Sequence, residues 1–166
     1  TLSDGLSANG QCSLREAIAN ANNDNGAQAD CAAGSGADVI TLNVSGTYLL
    51  TSGEISVTSA ITIQEGGGVT AVISGNLASR IFNVSGASGN LTLNGLTLQD
   101  ASATTAGGCI QVGASSGGAV TYNNGTLQNC VTTNSGGAIG STGSTHSITV
   151  SSSTLQNNTS GLNGGA

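Results

Sequence analysis

At 166 residues, 37% of them hydrophobic, the chain is long enough for one domain with a core. A net charge of −6 with only Arg15 and Arg80 as cations excludes the basic footprint that nucleic acid or an anionic membrane surface needs. Twenty-seven glycines with no proline and no lysine depart from globular composition in the manner of a repeated unit, and no apolar run approaches the roughly 20 residues of a membrane-spanning helix.

The first element in chain order is an amphipathic helix over residues 13–23, within "CSLREAIANANNDNG". Ser13 followed by Glu16 forms a capping box, and Leu14, Ala17, Ile18 and Ala21 fall on one apolar stripe. Asn22 to Gly26 stop the helix. Arg15 and Glu16 read as a solvated or locally paired couple. The Asn/Asp tract that follows fails the EF-hand pattern, because Ala21 and Ala32 fall where the first and last ligands belong; Asp24 and Asp30 are what remains for an irregular calcium site.

From residue 38 onward the chain repeats itself. "LTLNGLTLQD" from Leu91, "VTYNNGTLQN" from Val120 and "ITVSSSTLQN" from Ile148 are offset by 29 and 28 residues. Gly107-Gly108-Cys109-Ile110 returns as Gly136-Gly137-Ala138-Ile139 and as Gly164-Gly165-Ala166. Fainter copies begin at Ile61 and Ile40, at intervals of 30 and 21 residues. Each unit holds about three short strand-like runs broken by Gly, Ser and Asn, which describes one coil of a parallel β-solenoid. The fold class expected is therefore all-β, a right-handed parallel β-helix of about five coils over 38–166, with the helix as its cap; the hand follows from the crossover rule. A β-sandwich would not repeat its side chains at this interval.

Alternation in the strands assigns faces. Leu98, Leu127 and Leu155 stack inside. Thr41, Thr62, Thr92, Thr121 and Thr149 form one outward polar ladder, flanked by Asn43, Gln64, Asn94, Asn123 and Ser151; Gln99, Gln128 and Gln156 form another. Thr columns on flat solenoid faces resemble those of ice-binding proteins, while Thr is also simply a good strand former on a solvated sheet.

The cysteines form two close pairs, Cys12 with Cys31 and Cys109 with Cys130. With no CxxC spacing and a single His146 they point to disulfides in an oxidising compartment rather than to zinc. Cys109 and Cys130 occupy different columns of the repeat, so a bridge between them has to span a corner between consecutive coils. His146 reads as a surface-loop residue. Glu54, Glu65, Arg80 and Asp100 read as isolated solvated charges. No catalytic residue, metal ligand or cofactor is expected.

"CSLREAIANANN" looks like the CSLREA motif near the start of secreted bacterial β-helix proteins. "GGAI", with the L-x-x-N of Leu155 to Asn158, resembles the repeats of chlamydial-type polymorphic outer membrane proteins. Leu127 to Cys130 and Leu98 to Ala101 depart from that repeat by replacing its asparagine. The resemblance implies a right-handed parallel β-helix exported to the bacterial cell surface or medium, as a fragment or subunit of something larger. The function expected is a non-enzymatic surface, adhesive or matrix element that forms homo-oligomers by end-to-end or edge stacking of coils or binds a carbohydrate or cell-surface ligand. No contact with nucleic acid and no membrane insertion is expected. The alternatives are a polysaccharide lyase or hydrolase, since pectate lyases and polygalacturonases use this fold, and an ice-binding solenoid.

Overall fold

The computed structural model describes residues 1–113, 117–143 and 145–165. Ser144, in the turn before His146, and Ala166, last residue of the third Gly-Gly-Ala, lie outside them. Helix α1 spans Leu14–Asn23. The first winding follows as β1 (Asp38–Leu42), β2 (Gly46–Leu49) and β3 (Ile55–Val57), the second as β4 (Ala60–Glu65), β5 (Ala71–Ser74) and β6 (Phe82–Val84). The third holds β7 (Asn90–Asn94), β8 (Thr97–Ala103) and β9 (Ile110–Val112), and the fourth β10 (Ala119–Asn123), β11 (Thr126–Thr132) and β12 (Ile139–Ser141). A further part-winding holds β13 (Ser147–Ser151), β14 (Thr154–Gln156) and β15 (Thr159–Ser160).

These strands form three parallel sheets, ordered β1-β4-β7-β10-β13, β2-β5-β8-β11-β14 and β3-β6-β9-β12, with β15 beside β11. The molecule is a parallel β-solenoid. Among the described residues the third sheet has four strands, so about four windings are complete rather than five.

Three corners turn each of the later windings, and each is made by a left-handed backbone. Gly95, Asn124 and Ser152 have φ of 80°, 55° and 48°, and Asp100, Asn129 and Asn157 have 50°, 53° and 54°. Gly107, Gly136 and Gly164 have 77°, 72° and 71°. Asn and Asp tolerate this region better than other side-chain-bearing residues. At Gly107 and Gly136 even that tolerance would fail, because an added Cβ would meet the carbonyl oxygen of Ile110 or Ile139. The repeated Gly and Asn of the sequence are thus the bends of the coil.

Between corners, alternate residues point into one continuous core. Ile61, Ile63, Leu91, Leu93, Leu98, Val120 and Leu127 are buried, and Leu98, Leu127 and Leu155 stack in register. Tyr122 is buried over Leu93 in the neighbouring column and donates its hydroxyl to the carbonyls of Leu96 and Thr126, at 2.6 and 2.8 Å. Such hydrogen bonding is what allows a phenol to sit in an apolar core. Cys109 and Cys130 are buried too and joined with Cα atoms 5.2 Å apart, tying the corner before β9 to β11 of the next winding.

The opening segment plugs the first winding. α1 packs against β1, β3 and β4, burying Leu14, Ile18 and Ala21, with Ala17 half-buried beside them. The capping box is closed: the Glu16 amide donates to Ser13 Oγ at 3.1 Å, and the Ser13 amide donates to Glu16 Oε2 at 2.9 Å. Polar side chains then occupy the free edge of the coil. Asn22 donates to the Ser56 carbonyl and accepts from the Thr58 amide at 2.8 and 2.7 Å, as a neighbouring strand would. Arg15 donates to the carbonyls of Gly53 and Glu54 and pairs with Asp4 at 2.6 Å, while Asp4 accepts from the amides of Thr51 and Ser52. Arg15 and Glu16 are therefore not a couple, correcting the expectation; Glu16 is buried in the cap and Arg15 clamps a corner. Cys12 and Cys31, with Cα atoms 4.8 Å apart, anchor the loop after the helix to the residue before it.

Register departs from the sequence reading in the first winding. β1 pairs Asp38 with Ile61, Val39 with Thr62 and Thr41 with Gln64, so the first interval is 23 residues, not 21. Thr41 is thus excluded from the Thr ladder and heads the neighbouring column in place of Asn43. A slip of two residues keeps every side chain on its own face, so alternation alone does not distinguish the two registers.

Candidate functional site

Two outward faces carry columns of partnered side chains. On the sheet of β4, β7, β10 and β13, Thr62, Thr92, Thr121 and Thr149 lie in register. Beside them runs the column Gln64, Asn94, Asn123 and Ser151. Its members bond coil to coil: Asn123 donates to Asn94 at 3.0 Å, and Ser151 donates to Asn123 at 2.7 Å. On the next face Gln156 donates to Gln128 at 2.6 Å and Gln128 to Gln99 at 2.8 Å. The same face bears a Thr column that sequence reasoning passed over, Thr97, Thr126 and Thr154. It was legible in the recurring Thr-Leu-Gln of the repeat.

The third face contains the most elaborate polar cluster. Its outward column is Ser56, Asn83, Gln111 and Gly140, in register. At the neighbouring corner lies Arg80, only 5% exposed. Its Nε donates to the Gly107 carbonyl at 2.8 Å, Nη1 pairs with Glu54 at 2.9 Å and also donates to Gln111, and Nη2 donates to Thr105. Asn83 Nδ2 donates to the second Glu54 oxygen at 2.9 Å. Three successive windings thus contribute to one network. Burial pulls the Arg80 guanidinium below its usual pKa and the Glu54 charge opposes that shift. The network floors an open groove of about 480 Å³, lined also by Ala78, Ser79, Ser102 and Thr104. The buried Ser79 hydroxyl has no hydrogen-bond partner among the described residues.

Glu54 and Arg80 are therefore not isolated solvated charges. The expectation failed because their juxtaposition depends on the register of two corners. Glu65 and Asp100 do not join them: Glu65 accepts from the Ala71 amide at 2.6 Å, and Asp100 accepts from Gln99 and Asn129 at 2.9 and 3.0 Å. Asp24 and Asp30 hold loop amides, Asp24 that of Gly36 and Asp30 those of Asn9 and Gly10. His146 stands in its turn with Nδ1 2.6 Å from Ser141 Oγ. Every Asp, Glu and Arg of the chain lies at or before Asp100, so the windings from β10 onward carry none.

Fold and site together define a disulfide-braced parallel β-solenoid with ordered polar faces, a helical plug and one polar corner groove. Two disulfides are characteristic of an oxidising, extracellular setting, and none of the described helices is long and apolar enough to cross a membrane. In comparisons with known proteins no family model matches the chain, and no curated protein or solved structure matches it.

Proposed function

We propose that the chain is part of an extracellular bacterial β-solenoid acting as a surface, adhesive or matrix element, with no catalysis of its own. The observation that carries this reading is the register of the outward side chains, which repeat from the second winding on one face and from the third on the next, with Asn and Gln columns bonded coil to coil. A face of equal, evenly spaced contacts suits multivalent attachment to a polymer or a neighbouring surface, where many weak contacts add through effective concentration. The disulfides support export, and so does the resemblance to CSLREA-motif proteins and polymorphic outer membrane protein repeats. Labelling intact producing cells with antibody to the folded protein, together with thiol alkylation of native material, is the test. Surface labelling without free thiol is expected; reduced protein confined to the cytoplasm would overturn the reading.

Association between copies belongs to the same proposal. In the last part-winding Ile148 and Val150 are each 40% exposed, and β13 is the outermost strand of its sheet among the described residues. Association of copies is placed away from the end that α1 covers. Sedimentation over a range of concentrations is expected to show a dimer forming; a monomer throughout counts against it.

A second reading, ice binding, is favoured by one observation, the four threonines Thr62, Thr92, Thr121 and Thr149 in strict register on one sheet. Inhibition of ice recrystallisation that is lost in Thr92→Tyr would support it, and no inhibition would remove it.

A further inference from the structure

We propose that the groove over Arg80 and Glu54 is a binding site for neutral, hydroxyl-rich saccharide. The proposal deepens the extracellular adhesive reading and rests on it. Arg80 is the starting point. An apolar side chain at this corner would avoid the desolvation that a buried guanidinium suffers, so an arginine buried here against a partly exposed carboxylate is poorly explained by stability alone. What the pair does geometrically is fix Glu54, Asn83, Gln111 and Thr105 in one arrangement, as a preorganised recognition site requires.

The network leaves groups for a ligand. Glu54 is 36% exposed and spends one hydrogen bond on each oxygen, leaving lone pairs as acceptors. Asn83 uses its nitrogen, so its carbonyl oxygen remains an acceptor. Gln111 uses its oxygen, so its nitrogen remains a donor. The hydroxyl of Ser102, on the lining of the groove, can act either way. Interleaved acceptors and donors match a sugar, whose every hydroxyl both donates and accepts. The Ala78 and Ala103 methyls beside them offer contact for ring C–H groups. The charge decides between sugar classes: Arg80 and Glu54 cancel, the accessible member is the carboxylate, and the whole chain stands at −6. A uronate would be repelled.

The experiment is a heteronuclear NMR titration of the full chain with cello-, malto- and manno-oligosaccharides at about 10 mM, a concentration suited to a few exposed hydrogen bonds, with polygalacturonate as the charged comparator. Shifts are expected for the amides of Ser79, Asn83, Thr104 and Gln111 with at least one neutral series and not with polygalacturonate. Asn83→Ala with Gln111→Ala should weaken binding about tenfold or more. Ser102→Leu, which fills the groove without touching the network, should do the same, while Thr149→Ala on another face should change nothing. If no neutral oligosaccharide moves these resonances, if the variants bind as well as the parent, or if only polygalacturonate binds, the proposal is overturned. The adhesive reading is judged separately, by where the protein is found on cells.

Discussion

Asp4 shows how a single side chain can hold the plug in place. Burial pushes its carboxyl upward, but the Arg15 guanidinium and the amides of Thr51 and Ser52 more than reverse this, and its pKa lies below the ordinary 3.8. An acid favoured in its charged form by folding contributes stability that is complete above the unfolded value and disappears as pH falls through the lower folded value. Thermal melts from pH 6 to 2 are expected to show this loss below about pH 4, and Asp4→Asn should flatten that limb. Asn22→Ala removes two partners from an exposed strand edge and should cost about 1–2 kcal/mol in chemical denaturation. Neither contact was legible in the sequence, where Asp4, Arg15 and Asn22 look like ordinary surface residues: Asp4 and Arg15 are 11 positions apart with no motif linking them, and their backbone partners, like those of Asn22, lie 34 to 48 positions along the chain. The capping box and apolar stripe were legible, because they act within one turn of helix.

The elements of the coil are short, and their stability is shared between stacked side chains and a few corner contacts. Leu127→Ala opens a cavity between two neighbouring leucines and should cost about 2–5 kcal/mol in denaturant unfolding. The corner after this strand contains two solutions to one problem. In the last part-winding Asn158 accepts from the Cys130 amide and donates to the Leu127 carbonyl, both at 3.0 Å. One winding earlier Cys130 stands in that place and is bonded to Cys109 instead. Removing the bridge as Cys109→Ala with Cys130→Ala should cost about 3 kcal/mol on the chain-entropy account. Cys109→Ala with Cys130→Asn should recover roughly 1 kcal/mol of that, since the asparagine can reach the winding above; equal melting of the two double variants would refute this. The repeat made these columns readable. It misplaced Thr41, because Ile-Thr-Leu reads equally well in either of two registers separated by two residues, and only the packing of β1 under α1 and the turn to β2 chooses between them.

For the whole molecule, stability is graded along the axis. The first windings are covered by α1 and braced by Cys12–Cys31, whereas β13 to β15 are half-buried or exposed throughout. Native-state hydrogen exchange should therefore be fastest in β13 to β15, slower in β10 and β11, and slowest in β4, β5 and β7; uniform exchange along the column would contradict a nearest-neighbour solenoid. The solenoid itself was legible because 28- and 29-residue self-similarity is a property of the whole chain. The Arg80 groove was not, since it is assembled from three windings that share no motif.

Closure of one end by α1 gives the column a direction of growth. A duplicated or deleted segment of one full period, inserted beyond the plug, meets the same footprint above and offers the same footprint below, so length can change by whole steps without redesign of the anchor. The leading tip has no such freedom, because Asp4, Arg15 and Asn22 are fitted to one particular rim. Variation in reach among descendants of such a chain should then be quantised and accumulate downstream, while the first turn stays fixed.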